Sequence, residues 1–230
     1  MSGCNAHVSP PSRSSAPANL KIRPMKPTSN AEGNLVNKVL SQQFTPIAAD
    51  SSLLRKAGIA LAGSALVAVC AHVALPLYFT PVPLTLQTFA VLLLGLVLSP
   101  RMAAATLGAY LLEGAMGLPV FAPSVLGANG LAHLFGPTGG YLLAYPLAAA
   151  LASFLWRRSH RGFLAAALSA AAGSLVILAI GAFWLLIFSH ASAENVLTLA
   201  VIPFLPGDAL KMVAAAALAS GFARWRRQTV

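Results

Sequence analysis

Acidic side chains are almost absent from this sequence. Asp and Glu number five in 230 residues, and all charged residues together make up only 9%. A soluble domain carries about 25% charged residues, so this composition excludes an exterior built for water. Cysteine is nearly missing as well. Cys4 and Cys70 stand far apart, which excludes a disulfide framework and any metal site built on cysteine spacing. The histidines lie on separate segments without ligand spacing, so neither a metal nor another cofactor is expected. No HExxH, phosphate-loop or Ser-His-Asp signature occurs. The chain is therefore not expected to be an enzyme, and any energy it uses must come from elsewhere. The net charge of +10 lacks interleaved aromatic residues, which argues against nucleic acid as a partner.

What is present is apolar sequence, 57% of the chain. A bilayer core about 30 Å thick takes roughly 20 apolar residues per spanning helix. A closed barrel of strands would alternate polar and apolar residues, whereas Ala, Leu, Val and Gly run on continuously here. The fold class is therefore all-α, a polytopic membrane protein. Breaks at Pro, Gly and charge clusters leave six apolar segments, roughly 54–77, 84–98, 101–117, 140–156, 162–188 and 207–224. Residues 1–50 differ. They are rich in Ser, Pro, Asn and Ala and basic without an apolar period, so a disordered tail is expected, with a composition that also permits a transit peptide. Residues 51–230 form the membrane domain.

Charge placement tests the segment count, because Lys and Arg are enriched in short cytoplasmic loops. Arg55 and Lys56 precede the first segment, and Arg101 separates the second from the third. Arg157, Arg158 and Arg161 lie between the fourth and fifth, and Arg224, Arg226 and Arg227 end the sixth. The intervening stretches 78–83, 118–139 and 189–206 contain no Lys or Arg. Six spans with both termini cytoplasmic follow, in a membrane read as a bacterial plasma membrane. Lys211 alone falls outside the pattern, about 6 Å below the outer start of the sixth helix.

Asp208 and Lys211, in PGDALK, share a helix face at i and i+3. In a soluble helix they would read as a first-turn acid and a local ion pair. At membrane depth a lysine costs on the order of 2.5 kcal/mol or more, and such residues usually line a polar cavity. Gln87, in LTLQT, opens the second helix near Thr85 and Thr88, where it could serve a ligand or an interhelical hydrogen bond. Glu113 stands roughly 18 Å along the third helix, in its outer half. It is either packed or an orienting group for a ligand or Lys211. Loop 118–139 is long enough for a lid. GPTGGY follows it, with Gly139 and Gly140 allowing close backbone approach and exposed N–H groups suited to an anion. Ala60, Ser64 and Ala68 form a small-residue track on the first helix, for packing inside the bundle or for docking a membrane partner.

Taken in order, YFTPVPLTLQT, YLLEGAMGLPVFA, LFGPTGGYLLAYPLAA and IPFLPGDALK resemble the BioY family of biotin transporters, over about residues 54–224. These are substrate-binding S-components of energy-coupling-factor (ECF) importers. The resemblance implies a six-helix bundle that captures biotin from the outer face, with a transmembrane coupling subunit and ATPases as partners, or action without them, alone or as a homo-oligomer. It places Asp208 and Lys211 at the ligand, with Tyr141 of GPTGGY and Gln87 of LTLQT as neighbours. The chain departs from the family pattern after LPVFA, where PSVLGANG replaces a Gly-rich continuation and Asn129 is the candidate contact. Biotin offers ureido N–H donors, a ureido carbonyl, an apolar bicycle and a carboxylate on a flexible chain, which suits a pocket of few polar anchors. The favoured pairing sets Asp208 on the ureido N–H groups. The competing readings are an S-component for another vitamin, a membrane enzyme acting on a lipid-soluble substrate, and a purely structural module.

Overall fold

The computed structural model of the chain describes residues 51–75, 77, 82–123 and 130–228. The expected tail over residues 1–50 lies outside the described residues. The membrane domain is helical, and each of the six expected segments falls on a helix in order: α1 (Ser51–His72), α2 (Gln87–Val97), α3 (Pro100–Ala115), α5 (Gly139–Arg158), α6 (Phe163–Ser189) and α8 (Leu205–Gln228). Between them lie a short α4 (Leu131–Leu134), an α7 (Ala193–Ala200) and a 3-10 turn at Ile202–Phe204.

Length separates these helices. Ser51–His72, Gly139–Arg158, Phe163–Ser189 and the stretch Ala193–Gln228 are long and apolar enough to cross a membrane. α2 and α3 have 11 and 16 residues. At 1.5 Å per residue they measure about 16 and 24 Å, less than the roughly 30 Å of a hydrocarbon core. Thr85 and Leu84 explain part of the shortfall in α2. The two residues form strand β2 (Leu84–Thr85), antiparallel to β1 (Ala74–Leu75), where the expected segment began as helix. Pro83 denies the helix a donor and holds the approach extended. The Leu86 N–H donates to the Val73 carbonyl at 3.0 Å, tying the start of α2 to the end of α1.

The packing is inverted relative to a soluble bundle. On α6 many inward positions are small: Ala166, Ala170, Gly173 and Gly181 are buried beside the larger Ile177, Leu178 and Leu185, whereas Leu164, Leu168, Leu175 and Phe183 are 63–70% exposed. Large apolar side chains thus face outward, as lipid contact requires, and small ones let backbones approach. α5 occupies the centre, with Ala144, Ala148, Ala149 and Ala152 buried among α2, α3 and α6. At Gly95 of α2 a Cβ would lie 2.8 Å from the Ala149 carbonyl oxygen, so α2 reaches α5 only because that position has no side chain.

Two buried clusters stack along the bundle. One, around Leu92, Leu96, Trp156, Ala166, Ala215 and Ala219, fills the end that bears the arginines of α5 and α8. The other, around Leu107, Tyr110, Tyr141, Tyr145, Ile177 and Phe204, fills the opposite end.

Gly95→Leu should lower stability by about 1–3 kcal/mol, the usual range for overpacking. Gly108→Ala, where a Cβ meets nothing within 4 Å, should leave it unchanged. Thermal unfolding of the two variants in detergent measures the difference.

Candidate functional site

α8 begins within LPGDALK, and the first turn carries Asp208. The exposed N–H groups at a helix start favour a carboxylate there. One turn on, the Lys211 ammonium meets Asp208 Oδ1 at 3.1 Å. Both residues are buried, at 4% and 8% exposure, so neither charge is solvated by bulk water. Two further hydroxyls complete the shell. Thr88 Oγ1, from α2, donates to Asp208 Oδ1 at 3.5 Å, and Ser174 Oγ, from the middle of α6, donates to Oδ2 at 3.4 Å. Three helices therefore converge on one carboxylate. An ammonium has three donors, and the described bonds use one of them.

The pair lines a cavity of about 230 Å³, slightly under the roughly 300–1,000 Å³ of ligand clefts. The starts of α2, α5 and α8 and the later half of α6 enclose it, at the end of the bundle away from the arginines. Its walls are mostly apolar: Val82, Leu142, Ile177, Leu178, Leu185 and Phe204. Tyr141 and Tyr145, four apart on α5, present their rings to it. The Tyr141 ring fits because Gly181 lies behind it, where a Cβ would come within 2.2 Å of Cδ1. Its hydroxyl donates to the Ala200 carbonyl at 3.0 Å, which ties α7 to the cavity wall. Gln87 lines the cavity too, and its amide donates to the Tyr110 hydroxyl, which donates to the Val120 carbonyl at 3.0 Å.

Four of the sequence-derived residues thus meet at one cavity: Asp208, Lys211, Tyr141 and Gln87. The others do not. Glu113 accepts from the Ser64 hydroxyl of α1 and lines no part of the cavity. Gly139 and Gly140 are packing positions, since a Cβ on Gly139 would strike the Leu134 carbonyl oxygen and one on Gly140 the Trp184 side chain. They open α5 without lining the cavity. Asn129 lies outside the described residues. The docking face proposed for Ala60, Ser64 and Ala68 needs correction, because Ser64 is 1% exposed and Ala68 packs on the core. That track is turned toward α3, and the other small track, Gly58 and Ala62, is the exposed one.

Sequence reasoning missed Tyr145, Ser174, His133 and Thr138, all tied to the cavity. Tyr145 was recoverable from its i+4 spacing to Tyr141. Ser174 carried no signal beyond a lone hydroxyl in an apolar run, and His133 had no ligand spacing to any other histidine.

The model of the BioY family matches residues 40–228. Among curated proteins, the biotin transporter BioY of Thermotoga maritima is 39% identical over 168 residues, covering 72% of this chain and 92% of that protein. The biotin transporter BioY2 of Lactococcus lactis is 36% identical over 151 residues, covering 66% of this chain and 80% of its own. A crystal structure of the S-component for biotin from an ECF-type ABC transporter shares the fold, with a TM-score of 0.68 at 23% identity, covering 76% of this chain and 94% of that one.

Removing either member of the ion pair leaves an uncompensated buried charge, which costs roughly 3–5 kcal/mol, whereas removing both costs less. Asp208→Asn and Lys211→Met should each destabilise the unliganded protein more than the double variant does. Thermal unfolding around this double-mutant cycle reads the coupling.

Proposed function

The chain belongs to the BioY family, and from that premise we propose that this integral membrane protein is a biotin transporter, the substrate-binding subunit that captures biotin from the outer face for uptake. The observation that carries the reading is the buried Asp208–Lys211 pair lining an otherwise apolar cavity. Biotin is a mostly apolar molecule with two compact polar ends, and such a ligand needs few polar anchors. Asp208 accepts from the ureido N–H groups, using lone-pair capacity beyond the three bonds it already receives. Lys211 directs its remaining donors to the ureido carbonyl. The Tyr141 and Tyr145 rings pack on the bicycle, and Gln87 borders the same polar end.

Capture and energy supply are separate tasks in this reading. The sequence carries no phosphate-loop signature, so a transmembrane coupling subunit and ATPases of the ECF type deliver the ligand. The arginine-bearing ends of α5 and α8 and the start of α3, which holds Arg101, face the cytoplasm, as do both termini, in a bacterial plasma membrane. The cavity then opens toward the outer side.

Calorimetric titration of the detergent-purified protein should give saturable binding of biotin and weaker binding of desthiobiotin, with none for thiamine or riboflavin. Asp208→Asn and Lys211→Ala should each weaken biotin binding by about tenfold or more, the scale of a lost charged hydrogen bond. Tighter binding of thiamine or riboflavin would reassign the vitamin. If both variants hold biotin within twofold of the parent, the ion pair is not the anchor.

A further inference from the structure

α6 serves as a ruler for the cavity. Ser174 bonds to Asp208 and so marks the level of the ion pair. Gly181 backs the Tyr141 ring. Trp184 Nε1 donates to the Gly136 carbonyl at 2.9 Å and marks the level of the turn between α4 and α5. From Ser174 to Trp184 is ten residues, about 15 Å along the axis. The cavity spans this distance, since Ile177 and Ser189 of the same helix both line it.

A second polar group stands at the far level. His133 is buried, at 6% exposure, and lines the cavity. The Gly136 N–H donates to its carbonyl at 3.1 Å, which places it in the turn that Trp184 fixes. Its ring stacks on Phe121 at 5.1 Å between centroids, with 28° between planes. Thr138, also in the cavity lining, has its Oγ1 3.4 Å from His133 Nε2. The wall between the two levels is Tyr141, Tyr145, Leu142, Ile177 and Leu178, and the Tyr141 hydroxyl is engaged by Ala200.

The cavity therefore has two poles separated by an apolar and aromatic wall. Resting on the biotin reading above, we infer that His133, assisted by Thr138, holds the carboxylate end of the ligand, opposite the Asp208–Lys211 end. The chemistry fits. A carboxylate only accepts hydrogen bonds, and an imidazole N–H and a hydroxyl both donate. The distance between the poles matches a ligand whose polar ring and acid are separated by a bicycle and a chain, rather than one with both groups at one end. The stack on Phe121 fixes the plane of the His133 ring before the ligand arrives.

The test is a cycle between protein and ligand, with biotin and biotin methyl ester titrated calorimetrically into the parent, His133→Phe and His133→Gln. His133→Phe keeps a ring against Phe121 and removes the donor, and His133→Gln restores an N–H. Dissociation constants come from the folded fraction, because the stoichiometry reports that fraction separately. His133→Phe should weaken biotin by about tenfold, the scale of a charged hydrogen bond, and the ester by less than twofold, with His133→Gln between parent and Phe for the acid. Equal losses for acid and ester, or an unchanged affinity for the acid, would overturn the assignment. So would a Lys211→Ala loss confined to the acid, because that places the carboxylate at the other pole. A parent protein that binds neither ligand overturns the biotin reading and this inference together.

Discussion

A lysine buried in a membrane bundle is the constraint from which the rest of this architecture follows. An ammonium moved out of water loses several kcal/mol of solvation even after relaxation. A single counterion 3.1 Å away recovers part of this, and in a site of intermediate dielectric two unit charges at such a distance attract by roughly 4 kcal/mol. The carboxylate then needs its own partners. Thr88 and Ser174 supply them from two other helices, so α2, α6 and α8 must meet at one height and one rotation. Lys211 has donors beyond this one bond, and its side chain lines the cavity.

Convergence at that height depends on small residues elsewhere. α2 can bring Thr88 to Asp208 because Gly95 lets it lie against Ala149. α6 can bring Ser174 because Ala166, Ala170 and Gly173 leave its inner face thin. In lipid no hydrophobic force gathers helices, and close packing takes over that role. The exposed Leu and Phe residues of α6 add little to helix association and serve as the solvent contact. The same logic explains why the β1–β2 pair, short as it is, carries weight: its hydrogen bonds satisfy backbone groups where Pro83 prevents a helix.

Helix identity was legible in the sequence because continuous apolar runs and their basic boundaries need no tertiary information. Height along a helix was legible too, since residue count times rise places Asp208, Lys211, Gln87 and Tyr141 near one level. Rotation was not. Glu113 has the right height but is turned to Ser64 on α1, and only the neighbours of α3 decide that. Ala60, Ser64 and Ala68 fail in the same way, as a small track reads identically whether it faces a sister helix or a partner. Gly139 and Gly140 were noticed for their freedom to approach an anion, whereas the approach they permit is to Leu134 and Trp184. Ser174 and His133 were invisible because a single hydroxyl or imidazole gains meaning only from what the fold sets opposite it.

The two stacked clusters give the cavity a direction. At the arginine-bearing end, Leu92, Leu96, Trp156, Ala166, Ala170, Ala215, Ala216 and Ala219 are at most 4% exposed. Interiors packed to crystal-like density do not yield gradually, so this cluster closes the cavity on that side. The ion pair sits at the boundary, because Ser174 belongs to the cavity level while a Cβ on Gly173 beside it would come within 2.9 Å of Leu92 of the closed cluster. The ion pair therefore stands at the closed end of the cavity, and the cavity is reached from the other. Passage toward the arginines requires those helices to separate or the whole bundle to change its position in the membrane. Neither comes from ligand binding alone, since a ligand shifts a conformational equilibrium only by its difference in affinity for the two states. A cavity that binds well in this closed form opposes its own release.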